Sequence, residues 1–202
     1  MTRALYLDRW RVDLTTRDGV VPAIAGAGLA RAIVAAIEAA GAPSPASIGL
    51  ILSDDVELAA LNAAHLGVTG ATDVLSFPLL PPESFPPHPG GTHRSAGAPD
   101  FPLPPGAPDF PLPPGRPAGM PDFPLPPGRR LHLGDIVISV ERAIAQAEAG
   151  RGGQTGDVRW SAADELRLLA IHGALHVCGW DHAEPDEEAA MRALEKDLLA
   201  GG

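Results

Sequence analysis

Residues 131–140 read LHLGDIVISV, and they predict a strand that leads directly into a helix. Its apolar side chains include Leu133 and Ile136, and Ser139 is suited to cap the helix that follows. Residues 72–78, TDVLSFP, predict a second strand that pairs with the first. This second strand ends at a proline, where a backbone donor is no longer needed.

The N-terminal part of the chain predicts an alternation of strands and helices. Apolar residues at 5–14 indicate an opening strand that ends at a turn around 18–19. A helix follows, in which apolar residues recur at spacings of three and four over 29–37 before a glycine interrupts the pattern. Residues 48–52 predict a buried strand, and Asp54 is suited to cap the next helix.

The C-terminal third predicts two helices, over about 161–178 and 186–200, with a break at Gly179 between them. The second of these helices has an ordinary amphipathic pattern, so we expect it to have a packing role only. The elements together predict an α/β (α+β) fold.

Residues 81–130 interrupt this pattern with a proline-rich insertion. The unit APDFPLPPG occupies 98–106 and 107–115, and most of it recurs at 121–128. Such a tract lacks the backbone donors of a packed core, so we expect disorder or polyproline II structure and little contribution to the fold. We predict one domain over 1–202, with this insertion in a strand-strand loop. A tolerated linker is the favoured interpretation, and a ligand for a proline-binding partner is the alternative.

The bulk composition limits the function. The 202 residues are 45% hydrophobic, which is enough for a core and excludes a wholly disordered protein. The net charge of −10 argues against coating nucleic acid by general electrostatics, so any RNA contact must be local. A single cysteine excludes an intramolecular disulfide, and the charged N-terminus lacks the apolar core of a signal peptide. We expect a cytoplasmic protein without a membrane span.

Residues 171–182, IHGALHVCGWDH, contain the pattern that indicates chemistry. His172 and His176 are one helical turn apart, so both imidazoles can reach one metal ion. Gly179 can end the helix in a left-handed conformation and return the chain so that His182 becomes the third ligand. Three histidines leave a fourth zinc position open for water, which zinc makes nucleophilic at neutral pH. We therefore predict one catalytic Zn²⁺ per chain, with zinc-bound water as the nucleophile.

Metzincin peptidases share this histidine spacing, so a peptidase is the natural alternative. Those enzymes need a glutamate after the first histidine as general base, and this chain has Gly173 there. Peptide hydrolysis is therefore disfavoured. The sequence does not identify another general base.

Three segments together resemble the YbeY family of endoribonucleases. Residues 172–182 are similar to the family signature H-G-x-L-H-L-x-G-Y-D-H, and residues 72–78 and 133–139 resemble its strands T-D-V-L-S-F-P and L-G-D-I-x-I-S. The resemblance covers about 48–78 and 131–202, with the insertion between them. It implies a small mixed central sheet packed with helices, and a zinc site on a C-terminal helix and turn.

The same resemblance implies an activity. It implies a zinc-dependent, single-strand-specific endoribonuclease that acts in 16S ribosomal RNA 3′-end maturation and ribosome quality control. Ribosomal RNA and the small ribosomal subunit are then the expected partners. Zinc chemistry is compatible with attack on a phosphodiester. A metallohydrolase for another substrate class and a ribosome-assembly factor without catalytic activity are the alternatives.

One segment departs from the family pattern. The family's L-N-x-x-Y-R reads LNAAHL at 61–66, so His65 replaces the tyrosine and Leu66 replaces the arginine. An arginine is suited to bind phosphate oxygens, and a leucine cannot replace it. Either Arg130 or Arg142 provides the substrate contact instead, or the protein cleaves RNA weakly.

Four residues near these motifs have smaller predicted roles. Asp181 either orients a ligand histidine or caps the next turn. Asp73 and Asp135 either line the cleft or start strands, and the structural role is favoured. Cys178 lies two residues after His176, which turns it away from the ligand face, so we expect a small buried side chain.

Overall fold

The structure is a computed structural model that describes residues 1–88, 130–150 and 160–201. Its strands are β1 (Thr2–Leu7), β2 (Trp10–Thr16), β3 (Ala46–Ser53), β4 (Val74–Pro78) and β5 (Leu131–Ser139). Its helices are α1 (Gly26–Ala39), α2 (Asp55–Leu66), α3 (Val140–Glu148), α4 (Ala162–Val177) and α5 (Pro185–Ala200). Within these ranges, no helix combines the length and the apolar character needed to cross a membrane.

The described strands form one mixed sheet in the order β1-β2-β3-β5-β4. Strands β2, β3 and β5 run parallel, whereas β1 and β4 are antiparallel to β2 and β5. The predicted pairing of residues 72–78 with 131–140 is confirmed, because Val74 lies opposite Ile138. The α+β fold with a small mixed sheet is therefore as expected.

The opening of the chain differs from the prediction. The apolar pattern over residues 5–14 predicts one strand, but the structure forms a hairpin in which Leu7 of β1 pairs with Trp10 of β2. Asp8 turns the chain with φ of 51°, a left-handed conformation that aspartate adopts more readily than most residues. Apolar alternation continues across such a short turn, so it does not separate one strand from two.

The starts of α2 and α3 follow the predicted caps. At the start of α2, Oδ1 of Asp54 accepts a hydrogen bond from the backbone N of Glu57 at 2.9 Å. At the start of α3, Oγ of Ser139 accepts one from the backbone N of Arg142 at 3.1 Å. Each cap satisfies a backbone donor of the first helical turn, which fixes the point where strand gives way to helix.

The main core lies between one face of the sheet and helices α1, α4 and α5. Alternate residues of β3 enter it, and Ile48, Leu50 and Leu52 are fully buried. Ile51 faces the other side of the sheet and packs against a small second cluster around Leu58 of α2. Helix α4 also packs on β4 and β5, so the helix that carries two of the histidines rests on a rigid support.

The first part of the predicted insertion belongs to the folded domain. In the 81–88 segment, Phe85 is only 5% exposed and lies in the main core. A Cβ at Gly41 would lie 2.6 Å from Cγ of Pro86, so the segment packs closely on the end of α1. The expectation that the insertion contributes little to the fold is wrong here, because an aromatic ring among prolines still gains from burial. The repeat units, within 89–129, lie outside the described residues.

Candidate metal centre

Helix α4 carries the first two histidines of the predicted site. Its first turn is fixed by a capping box in which Ser161 and Asp164 exchange side-chain and backbone hydrogen bonds. Its apolar face is buried in the main core, whereas His172 and His176, one turn apart, stay partly exposed. The predicted helix and its histidine face are confirmed.

The turn after α4 returns the chain toward these histidines. Gly179 has φ of 83°, and the backbone N of Trp180 donates to the carbonyl O of Leu175 at 3.1 Å. This is the six-to-one hydrogen bond of a Schellman motif, and it confirms the predicted break. The ring of His182 consequently lies 5.5 and 5.0 Å from the rings of the other two site histidines, between centroids.

The three rings bring one nitrogen each to a common point. The nitrogens lie within 4.8 Å of one another, and the Nε2 atoms of His172 and His176 are 3.1 Å apart. Nδ1 of His176 donates a hydrogen bond to the carbonyl O of Trp180 at 2.8 Å, because a carbonyl only accepts. In the neutral ring, Nε2 of His176 therefore carries a lone pair.

Glu195 of α5 orients His172 as the Trp180 carbonyl orients His176, through a hydrogen bond to Nδ1. Its Oε1 lies 2.7 Å from Nδ1 of His172. A carboxylate only accepts hydrogen bonds, so Nδ1 carries the proton and Nε2 carries a lone pair. The Nε2 atoms of His172 and His176 then face each other at 3.1 Å, a separation at which they can share a proton or a metal ion. The three histidines could hold a metal ion, and the side chains of His172 and His176 are already oriented for it.

The protonation state of His176 also suits a metal ligand. Burial, together with the neighbouring His172 and His182, lowers the pKa of His176 to about 4. The ring is therefore uncharged at neutral pH, and neutral imidazole is the form that binds metal ions.

Sequence reasoning missed Glu195 because it gave the last helix a packing role only. The helix itself is found at Pro185–Ala200, close to the predicted 186–200. Its buried positions Glu187, Met191 and Glu195 recur every fourth residue. A glutamate on the buried stripe of an amphipathic helix needs a partner, and that is the sequence signal that indicates this residue.

Gly173 occupies the position of the metzincin general base, and the structure shows why it is glycine. A Cβ at this position would lie 2.6 Å from Cγ2 of Ile136 in β5. The carbonyl O of Gly173 accepts a hydrogen bond from Oγ of Ser76 in β4 at 3.0 Å. Helix α4 thus approaches the sheet too closely for a side chain here, and a glutamate at this position is excluded.

The 81–88 segment covers the turn that carries the third histidine. The ring of His88 stacks on Trp180, with centroids 4.5 Å apart and planes at 16°. Its Nε2 lies 3.2 Å from the carbonyl O of Gly179. A Cβ at Gly179 would lie 3.4 Å from Cα of Pro82. The turn is therefore held from both sides, by α4 and by this segment.

The two arginines predicted as substrate contacts are engaged within the protein. Arg142 forms an ion pair with Asp55, with Nη2 3.0 Å from Oδ2. Arg130 donates to the backbone O of Arg9, and its Cζ lies 5.9 Å from the ring centroid of Tyr6. A substrate phosphate would have to compete with these contacts or share the guanidinium groups with them.

The three aspartates singled out from the sequence have local partners. Asp181 is exposed, and its Oδ1 accepts a hydrogen bond from the backbone N of His182 at 2.7 Å, which is the turn-capping arrangement. Oδ1 of Asp73 accepts one from the backbone N of the next residue at 3.0 Å, at the start of β4. Oδ1 of Asp135, within β5, lies 3.3 Å from Nε2 of His132. Glu195 orients His172, and the backbone carbonyl of Trp180 orients His176.

Cys178 is a small buried side chain, as expected. It is 1% exposed and belongs to the main core. Burial raises the pKa of its thiol to about 12. The thiol therefore stays protonated at neutral pH, the form that does not bind zinc.

The replaced family positions lie at the end of α2. Leu66 is the last residue of this helix and is 53% exposed. The ring of His65 meets that of Phe77 edge to face, with centroids 5.1 Å apart. An arginine at position 66 would extend into solvent at this surface, and the leucine leaves it uncharged.

Comparison with known proteins agrees with the family resemblance of the motifs. The family model described as Endoribonuclease YbeY matches residues 20–201. The protein named Endoribonuclease YbeY from Symbiobacterium thermophilum is 34% identical over 82% of this chain and 79% of its own length. The protein of that name from Salinispora tropica is 36% identical over 82% of this chain and 80% of its own length. The one from Mycobacterium sp. (strain KMS) is 46% identical over 76% of this chain and 63% of its own length. Since the match spans most of the chain and includes the histidine turn, the chain belongs to the YbeY family of endoribonucleases.

Proposed function

We propose that this protein is a zinc-dependent endoribonuclease whose ion is held by His172, His176 and His182. The observation that carries the proposal is the 3.1 Å approach of two Nε2 atoms whose rings each have Nδ1 already engaged. The relatives named endoribonucleases support the reaction class.

The donor set fits zinc. Zinc takes imidazole nitrogens at about 2.0–2.1 Å in tetrahedral geometry, which places two such nitrogens about 3.4 Å apart. The observed separation of 3.1 Å between the Nε2 atoms of His172 and His176 is close to this value. Three protein ligands leave one position open, as in catalytic zinc sites. A bound zinc ion would supply a Lewis acid that activates water at neutral pH and offsets charge on phosphodiester oxygens.

The residues of the chain prepare the site for this chemistry. His172 and His176 lie against the core, which limits their motion and keeps His176 uncharged. His182 is exposed, so a substrate reaches the site from its side. Gly173 leaves the metzincin base position without a side chain, so a proton acceptor must come from another position.

We propose single-stranded RNA as the substrate class and 16S ribosomal RNA 3′-end maturation and ribosome quality control as the process, in the cytoplasm with the small ribosomal subunit. The motifs shared with the family support this assignment. Because the net charge is −10, phosphate binding must rely on local cations, namely the metal ion and individual arginines. Arg130 and Arg142 stay the candidate arginines. The insertion is proposed as a linker, with a proline-binding partner as the alternative.

Metal analysis of the purified full-length chain, beside His176→Ala, tests the site. We expect about one zinc per wild-type chain, lost in the variant. Imidazole ligands also suit copper, nickel and iron, so these metals are measured in the same samples. A folded wild-type protein that takes up no metal when zinc is supplied would overturn the proposal.

An RNA-cleavage assay tests the reaction. The zinc-loaded protein is expected to cut a single-stranded 16S 3′-end fragment and to spare the same sequence in a duplex. Chelation should stop the cleavage, and added zinc should restore it. Cleavage that persists in His176→Ala would assign the activity to a contaminant and contradict the proposal.

A ribosome-assembly factor without cleavage activity is the second candidate, and exposed Leu66 in place of an arginine favours it. It predicts a zinc-loaded protein that binds the small subunit and leaves RNA intact. A metallohydrolase for another substrate class is a third reading, which for peptides is opposed by the close packing at Gly173.

A further inference from the structure

We propose that Glu195 is a positioning residue that sets the metal affinity of the site through His172. The inference rests on the proposed metal site and assigns it a fourth side chain, from helix α5. Glu195 does not contact the metal in this proposal. It fixes which nitrogen of His172 is free to bind it.

The geometry of the pair carries the proposal. Oε1 of Glu195 lies 2.7 Å from Nδ1 of His172, a short distance of the kind found in charge-assisted hydrogen bonds. The side chains are 12% and 26% exposed, so water competes weakly for either partner. With Nδ1 engaged, the imidazole ring is held with Nε2 directed toward His176.

The place of Glu195 in the helix argues against a packing role. It follows Met191 by one helical turn on the buried face of α5, and Met191 is 1% exposed in the main core. Burying a carboxylate is costly unless a partner compensates it, and a leucine would pack here without that cost. The glutamate is therefore explained by the imidazole that it binds.

His172 and His176 differ in what orients them. His176 is oriented by the backbone carbonyl of Trp180, which every substitution retains. His172 is oriented by a side chain, which evolution or mutagenesis can change. A carboxylate on a ligand histidine also raises the basicity of the metal-binding nitrogen, and removing such a partner elsewhere costs roughly 10- to 100-fold in metal affinity.

Zinc titration of the full-length apoprotein against a chromophoric chelator tests the proposal. Glu195→Ala and Glu195→Leu remove the acceptor and should bind zinc roughly 10- to 100-fold more weakly than wild type. The leucine variant keeps the packing volume and serves if the alanine variant does not fold. Glu195→Gln keeps a neutral acceptor and should recover part of the affinity. The matched control is Glu187→Gln, a buried glutamate of the same helix that bonds the backbone N of Glu184.

A second readout separates positioning from general damage to the fold. Cobalt(II) in place of zinc reports the ligand geometry through its visible spectrum, which should change in Glu195→Leu and stay as wild type in Glu187→Gln. Wild-type zinc affinity in Glu195→Leu, or an equal loss in Glu187→Gln, would overturn the role of Glu195 and leave the three-histidine site intact. Failure of the wild-type protein to bind zinc would instead overturn the proposed function itself.

Discussion

Helices α2 and α4 end alike in local conformation and differently in their surroundings. Each is followed by a glycine with positive φ, 66° at Gly67 and 83° at Gly179. A Cβ at Gly67 would meet no other described atom within 4 Å, whereas one at Gly179 would contact Pro82 and Phe85. A local signal thus ends both helices, but only the covered end carries a site.

The residues at the two ends reflect this difference in cover. The end of α4 holds the histidine turn, where Glu195 of α5 bonds His172 and His88 stacks on Trp180. The end of α2 holds His65 and Leu66, where the family pattern is lost, and Leu66 and Val68 are each 53% exposed. A ligand site needs side chains locked by surrounding contacts, which an open helix end does not provide.

Removing the cover from the end of α4 should have the largest effect. Phe85→Ala deletes a core aromatic ring of the 81–88 segment, and we expect a loss of about 3–5 kcal/mol in the free energy of unfolding. Urea denaturation measures it. The control is Leu79→Ala, just before this segment. Leu79 is 62% exposed, so the substitution should change the free energy of unfolding by less than about 0.5 kcal/mol. Equal effects of the two substitutions would show that the segment does not cover the helix end.

The close approach of α4 to the sheet should be the next most sensitive feature. Gly173→Ala places a Cβ 2.6 Å from Ile136, so overpacking should destabilise the fold by about 1–3 kcal/mol. Thermal and urea unfolding measure this change. Gly201→Ala, where the nearest atom is 3.6 Å away, is the matched control and should be close to neutral. An unchanged free energy of unfolding in Gly173→Ala would contradict the tight contact and show that this position can hold a side chain.

Parallel substitutions at the two helix-ending glycines compare the ends directly. Gly67→Ala and Gly179→Ala both force a side chain into a left-handed conformation, and each should cost about 1–2 kcal/mol. Zinc affinity should fall only in Gly179→Ala, because that turn positions His182. If both variants kept wild-type zinc affinity, the turn at Gly179 would not be what positions the third ligand.

Restoring the arginine at the open end should have the smallest effect on stability. Leu66→Arg changes an exposed position, so unfolding should shift by less than about 0.5 kcal/mol. Its expected effect is on RNA, since a guanidinium binds phosphate oxygens that leucine cannot. Cleavage and binding of single-stranded RNA should rise relative to wild type. Val68→Arg, equally exposed, adds the same charge nearby, and an equal gain there would mean that general charge and not position 66 is responsible.

Features encoded over short stretches were predicted well. The caps at Asp54 and Ser139 and the break at Gly179 depend on residues within a few positions of one another. The pairing of β4 with β5 joins distant residues such as Val74 and Ile138, but each strand has its own local pattern. The opening hairpin was missed for a local reason too. Its turn residue Asp8 is not a glycine, and apolar alternation runs through it unchanged.

The arrangement of His172, His176 and His182 on one helix and its turn follows from the local sequence, because an i, i+4 pair and a glycine-ended helix are local geometry. The contact that orients His172, and the cover over the turn at Gly179, depend on the tertiary fold. Glu195 lies 23 residues from His172, and His88 lies 91 residues from Gly179, so no periodicity along the chain links either pair. These contacts arise because α5 and the 81–88 segment bury apolar side chains in the same core. Packing of Met191 and Phe85 there places Glu195 and His88 beside the histidine turn.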